Sequence, residues 1–277
     1  MKPVLEDFLA AKKIEGCSDK TICYYRYVIK DMLEHVQKEP MVIETADLRG
    51  YLAMLAEERN VSKVTVNNHR RNLSSFFKWL EDEDIIVKSP MRRIKNIKTE
   101  RVIKNALSDD EIETVRDGCD GLRDSAIVEL LLSTGMRVGE LVGLDRDSVN
   151  FQEREIVVLG KGNKERVVYF DARAKKRLQD YLASRADDNP ALFVSITAPH
   201  KRLKEGGIGM RVRKLGQKAS TKLYPHKFRR TFATRAIDKG MPVEQVQMIL
   251  GHALIDTTMR YAMVSSSNAK NSHRRIT

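Results

Sequence analysis

Residues 122–141 read LRDSAIVELLLSTGMRVGEL. The run 122–133 is a strongly apolar helix, and Gly135 stops it. A short amphipathic helix then carries Arg137, Glu140, Leu141 and Leu144, with Arg137 in its first turn. A guanidinium at that point can join helix N-terminal N–H groups in holding a phosphate.

Downstream, Glu155–Leu159 and residues 166–170 alternate as two short strands around Gly160-Lys-Gly-Asn-Lys164, whose Gly and Asn suit a tight hairpin turn. Helix follows over 172–186, a further strand over 192–195, and mostly helix over 226–263. Upstream, Ser108 caps a helix over 109–117. Residues 91–105, MRRIKNIKTERVIKN, are basic and without a period, and Pro90 marks a break, so this stretch reads as an interdomain linker.

The first hundred residues read as four helices. One spans 3–13, and Ser18 caps a second that lines up Ile22, Tyr25, Ile29 and Met32. A third runs near 47–58 with Leu48, Tyr51, Leu52 and Leu55 inward. The fourth buries Val66, Leu73, Phe76, Phe77 and Leu80 and turns Lys63, Asn67, Arg70, Arg71 and Ser74 outward, either as a grip on a phosphate backbone or as a solvated face. The expected class is therefore mainly α: a four-helix domain over 1–90, a basic linker over 91–106, and over 107–277 a mostly helical domain with a small antiparallel β-sheet.

At 277 residues, two domains fit a prior of about 150 residues each. The 50 Lys+Arg against 38 Asp+Glu leave a net charge of +12. The first 100 residues contribute 18 basic and 16 acidic side chains, so most of the excess lies beyond them. Such an excess favours a polyanionic partner, because Lys and Arg release counterions on meeting phosphates. No 18 apolar residues run together, and the opening MKPVLEDFLAAKKIEG lacks an apolar signal core. Cys17, Cys23 and Cys119 show no metal-ligand spacing. The expectation is a soluble protein of a reducing cytoplasm, with no membrane association.

The chain has no phosphate-binding loop of the Walker type, no GxGxxG after a strand, no GxSxG elbow, no HExxH and no carboxylate cluster suited to two metals. Chemistry then falls to basic residues, His, Tyr or Ser. Four places carry them: STGMRVGEL with Arg137, GKGNKER with Lys161 and Lys164, HKFRRTFAT with His226 and Arg229 on one helix face, and LGH with His252 followed nine residues later by Tyr261.

In this order the four motifs resemble those of the tyrosine recombinases, the phage integrase family, and the chain is similar in size to the Xer recombinases. The resemblance spans nearly the whole chain. Arg230, where many relatives carry His, departs from the pattern outside the catalytic residues. The resemblance implies a SAM-like core-binding domain, the linker, and a catalytic domain whose active site is Arg137, Lys161, His226, Arg229, His252 and Tyr261. It also implies Tyr261 as nucleophile, His226 as its acid/base partner, and Lys161 as general acid to the leaving 5′ oxygen, with Lys164 as the competing choice. His252 is expected to donate to a phosphate oxygen. Strand exchange would pass through a 3′-phosphotyrosyl ester and a Holliday junction, with no cofactor and no required metal. The implied partners are double-stranded DNA and further copies of the chain, four on two sites, coupled by the tail after Tyr261 docking on a neighbour. The place of action would be the nucleoid. Candidate DNA contacts are Lys20, Lys63, Asn67, Arg70, Arg71 and Lys164. The alternative is a catalytically silent DNA-binding accessory factor of the same fold.

Overall fold

A computed structural model describes residues 2–99, 105–160, 164–252, 254–255 and 258–259. The chain divides into two compact units, Met1–Val102 and Ile103–Thr277. Among the described residues no helix is long and apolar enough to cross a membrane.

The first unit holds α1 (Lys2–Ile14), α2 (Asp19–Val36), α3 (Thr45–Glu57) and α4 (Lys63–Asp82). Ser18 and Ser62 cap α2 and α4 by accepting from the backbone N–H three residues on. α3 starts two residues earlier than its apolar spacing suggests, because the Asp47 carboxylate accepts from the backbone N–H of Glu44 and fixes the first turn. The four apolar stripes meet in one core around Phe8, Ile29, Met32, Leu48, Leu73, Phe76, Phe77 and Leu80. Inside it lies a polar junction of three helices. The buried Tyr51 hydroxyl of α3 lies 2.6 Å from Asp31 Oδ2 of α2, to which it donates, and 2.8 Å from His69 Nδ1 of α4. Arg59 closes the junction with Nη1 donating to both Asp31 oxygens.

The connector packs onto this unit before it leaves it. Met91 is buried in the core, and Thr45 Oγ1 donates to the Pro90 carbonyl at 2.7 Å. On α4, Arg70 Nε donates to the Ile94 carbonyl, and Asn67 Oδ1 accepts from the Ile97 N–H.

The second unit is built on α6 (Leu122–Thr134), which packs against α8 (Ala172–Ala183) and α10 (Pro225–Asp238). Its apolar side chains are buried on several faces, and the buried Glu129 is held by a fork from Arg116 of α5 (Asp109–Asp117). Gly135 ends α6 in the left-handed region at φ 61°. α7 (Val138–Gly143) follows, with Arg137 as its N-cap rather than within its first turn. β1 (Val149–Asn150), β2 (Glu155–Leu159) and β3 (Glu165–Tyr169) form an antiparallel sheet in that order, with Val157 opposite Val167. The hairpin closes where the Gly160 N–H donates to the Lys164 carbonyl. α9 (Glu205–Lys218) and α11 (Val243–Leu250) complete the unit.

The structure departs from the sequence pattern at two places here. Residues 192–195 are not a strand: Ala191 and Val194 form only isolated bridges, to Asp145 and Arg202, and the third strand is β1. α9 has no counterpart in the propensity pattern because Gly206, Gly207, Gly209 and Gly216 each weaken a helix. Burial of Ile208, Val212 and Leu215 on one face overrides that cost.

The polar junction makes a stability prediction. Tyr51→Phe leaves Asp31 and His69 each short of a partner inside the core, so it destabilises the first unit by about 1–3 kcal/mol. Trp79, the chain's one tryptophan, lies on α4 beside Phe8 and reports urea unfolding of this unit. An unchanged midpoint would show that the junction adds nothing.

Candidate active site

The site forms where α7, β3 and α10 meet the C-terminal end of α11. A helix end leaves its last carbonyls without intrahelical partners and carries partial negative charge. Here three arginines supply the donors. Arg166 Nε donates to the Ile249 carbonyl at 2.7 Å, Arg229 Nη2 donates to the Leu250 carbonyl, and Arg137 Nη2 donates to the Gly251 carbonyl at 3.2 Å. Arg229 also reaches the end of α6, with Nη1 donating to the Gly135 carbonyl at 2.9 Å. It is 1% exposed, among the largest fully buried side chains in the described residues.

Two glycines permit this approach. Gly251 ends α11 at φ 63°, and a Cβ there would lie 2.9 Å from Arg166 Cδ. Gly135 has φ 61°, and its Cβ would lie 2.6 Å from the Phe232 ring. Both positions need a left-handed backbone and no side chain.

Glu140 ties the arginines together. Its buried carboxylate accepts a fork from Arg166, Nη1 to Oε1 at 2.8 Å and Nη2 to Oε2 at 2.7 Å. The same oxygens accept from Arg137 Nη1 and from the Arg137 backbone N–H, each at 2.8 Å. Burial acts to raise the Glu140 carboxyl pKa, but the bonds from Arg166 and Arg137 outweigh it and hold it below its ordinary value. Arg137, Arg166 and Arg229 against this one carboxylate leave an excess of two positive charges. The Arg137 side chain is 39% exposed, so this excess faces solvent through it. A guanidinium has five N–H donors, so Glu140 and Gly251 leave Arg137 with capacity for an incoming oxyanion.

His252 follows directly on the α11 terminus. Its Nδ1 lies 2.8 Å from the hydroxyl of the buried Thr258, and its carbonyl accepts from Gln247 Nε2. Burial first, then the positive field of Arg229 and Arg137, pushes the imidazole pKa down to about 4. His252 is therefore a neutral imidazole at physiological pH. His226 is exposed in the first turn of α10, close enough to contribute to the lowering of the His252 pKa.

Of the six residues that the motifs single out, Arg137, Arg229 and His252 thus converge, with His226 close enough to influence His252. Lys161 and Tyr261 lie outside the described residues, as does the tail after Tyr261. Lys164 is exposed at the base of the hairpin. Of the candidate DNA contacts in the first unit, Lys20, Lys63 and Arg71 are exposed. Asn67 and Arg70 instead hold the connector. Beside them, a cleft of about 500 Å³ between α4 and the connector is lined by Arg70, Lys78, Arg92 and Lys95 together with Glu81, and Lys78 is paired with Asp82 at 2.7 Å. Motif reading passed over the bond between Glu140 and Arg166, which are 26 residues apart. A signal was present: strand alternation puts Arg166 on the same face as the buried Val168 and Phe170, an unusual place for a charge.

Comparison with known proteins gives consistent matches. Residues 99–268 match the phage integrase family, and residues 4–86 match the phage integrase N-terminal SAM-like domain. The chain is 32% identical to tyrosine recombinase XerA of Pyrococcus horikoshii over 269 residues, 96% of this chain and 91% of the relative. It is 31% identical to tyrosine recombinase XerC of Herpetosiphon aurantiacus, over 97% of this chain and 93% of the relative. A crystal structure of XerA recombinase aligns with 99% of this chain and 98% of that one at 32% identity and a TM-score of 0.57. A lambda integrase dimer bound to a core site shares the fold, with a TM-score of 0.78 at 18% identity over 94% of each chain.

The depressed pKa of His252 sets its pH dependence. The unfolded chain binds this proton near the ordinary pKa of about 6.5, and the folded chain only near 4. The neutral form therefore stabilises the fold fully above about pH 6.5, and that contribution is lost as pH falls toward 4. Nitrogen-15 NMR of the histidine rings should show one imidazole, absent in His252→Gln, still neutral at pH 5.5. A midpoint near 6.5 for that ring would contradict the account.

Proposed function

The chain belongs to the phage integrase family, that of the tyrosine recombinases, and we propose from that premise that it breaks and rejoins double-stranded DNA at specific sites through Tyr261. Relatives at about a third identity over nearly their full length are named tyrosine recombinases, so an accessory factor without catalysis is the less favoured reading. The observation that supports the chemistry is the meeting of Arg137, Arg229 and His252 at the end of α11.

A phosphodiester under attack develops negative charge on its nonbridging oxygens, and fixed cations stabilise it best in a site that excludes water. Arg137 would meet those oxygens directly. The buried Arg229 supplies positive field and holds the ends of α6 and α11. Neutral His252 donates a hydrogen bond to a nonbridging oxygen through its other ring nitrogen, with Thr258 at Nδ1 fixing the ring. The Tyr261 oxygen forms a bond to phosphorus, and its proton passes to His226. The bond from phosphorus to the 5′ oxygen breaks, and Lys161 delivers a proton to that oxygen. The phosphotyrosyl ester keeps the energy of the broken bond, so the 5′ hydroxyl of a partner strand can attack it and release Tyr261. Two rounds pass through a Holliday junction without a cofactor.

In the same reading, residues 1–90 are the core-binding domain, 91–106 the linker and 107–277 the catalytic domain. Exposed Arg92 and Lys95 beside α4 suit phosphates of the duplex, as do exposed Lys20, Lys63 and Arg71. Asn67 contributes by holding the connector, and Lys164 lies at the hairpin base. Four protomers would join two DNA sites, and the enzyme would act in the cytoplasm at the nucleoid.

The test is covalent trapping in EDTA. The protein is incubated with nicked duplexes taken from the DNA flanking its own gene and run on denaturing gels. A shifted protein–DNA band is expected, absent in Tyr261→Phe although that variant still binds the duplex. A band that persists in Tyr261→Phe would rule out Tyr261 as nucleophile.

A further inference from the structure

Arg166 occupies a strand position that the sheet reserves for apolar side chains, since Val168 and Phe170 on the same face are 0% and 3% exposed. A charge in such a place is costly unless it is paired. Its guanidinium is used on two edges: the fork of Nη1 and Nη2 meets both Glu140 oxygens, and Nε meets the Ile249 carbonyl. One side chain thereby joins β3, α7 and α11, and its own side chain is 11% exposed.

The consequence lies in the charge of Glu140. That carboxylate also accepts from Arg137 Nη1 and from the Arg137 backbone. Were Arg137 its only cationic partner, the two would form a neutral pair, and Arg137 would present little field to a phosphate. With Arg166 on the same two oxygens, one negative charge is shared between two cations, and Arg137 keeps its positive character while staying oriented. Resting on the recombinase reading above, we infer that Arg166 is a positioning residue that balances Glu140 and so keeps Arg137 available to the scissile phosphate.

Lysine does not reproduce this role, because a single ammonium cannot present the planar fork to Glu140 and a third donor to Ile249 together. Methionine keeps the approximate bulk and removes the charge.

The test uses the full chain and the nicked duplex that it cleaves, made with either an ordinary phosphodiester or a methylphosphonate at the scissile linkage. A methylphosphonate lacks one anionic oxygen, so its transition state needs less cationic help. Arg166→Met is expected to slow covalent attachment on the phosphodiester by about 10- to 100-fold, by analogy with the loss of a partner that orients a metal ligand. On the methylphosphonate the same variant should stay within about threefold of the unsubstituted chain. Arg166→Lys should fall between the two on the phosphodiester. Adding Glu140→Gln to Arg166→Met removes the unbalanced charge and should recover much of the rate. Equal losses on both linkages, or a double variant slower than Arg166→Met, would overturn the inference. So would melting curves in which the single and double variants both fail to fold, since Arg166 would then be serving the core alone. If the unsubstituted chain attaches to no flanking duplex, the recombinase reading fails first and separately.

Discussion

The Ile249, Leu250 and Gly251 carbonyls lie where an α-helix leaves its acceptors unsatisfied, and their hydrogens come from Arg166, Arg229 and Arg137 in turn. Those arginines stand on β3, on α10 and at the head of α7, so the end of one short helix fixes three others. Glu140 completes the arrangement by holding Arg137 and Arg166 on the same two oxygens. Among the described residues, this junction brings Arg137, Arg229 and His252 together. It sets where positive charge reaches solvent, and its field adds to burial in lowering the pKa of His252, just past the helix.

Burial gives the junction its rigidity. Glu140, Arg166 and Arg229 are almost withdrawn from water, so each must have its partners in place, and a loosened contact strands a charge. Preorganised charge of this kind needs no rearrangement when a phosphate arrives. The first unit uses a quieter version of the same device. There Asp31, Tyr51 and His69 join α2, α3 and α4 through hydrogen bonds inside an apolar core. Burial lowers the His69 pKa below its ordinary value, against the opposing charge of Asp31.

Local signals in the sequence account for much of this architecture. The first four helices follow from apolar spacing and serine caps, and the hairpin from its glycines and asparagine. α9 escaped because its four glycines argue against a helix, and only packing of Ile208, Val212 and Leu215 forms it. The strand expected at 192–195 mistook a buried loop for a sheet element, since Leu192 and Phe193 are buried without lying in a strand ladder. At the site, Arg137, Arg229 and His252 were visible through their motifs. The Arg166–Glu140 fork was not, because a pair 26 residues apart is made by the fold. Asn67 and Arg70 show the converse: their outward position on α4 is legible, but the connector they hold is a tertiary partner.

The central claim is that Arg137, His252 and Tyr261 share one phosphate. A crystal structure of the chain with orthovanadate and a duplex nicked at the mapped cleavage position tests it most directly. The account predicts five-coordinate vanadium bonded to the Tyr261 oxygen, with Arg137 nitrogens about 3 Å from its equatorial oxygens and His252 beside them. Vanadate bound away from the α11 terminus, or bound there without Tyr261, would contradict it.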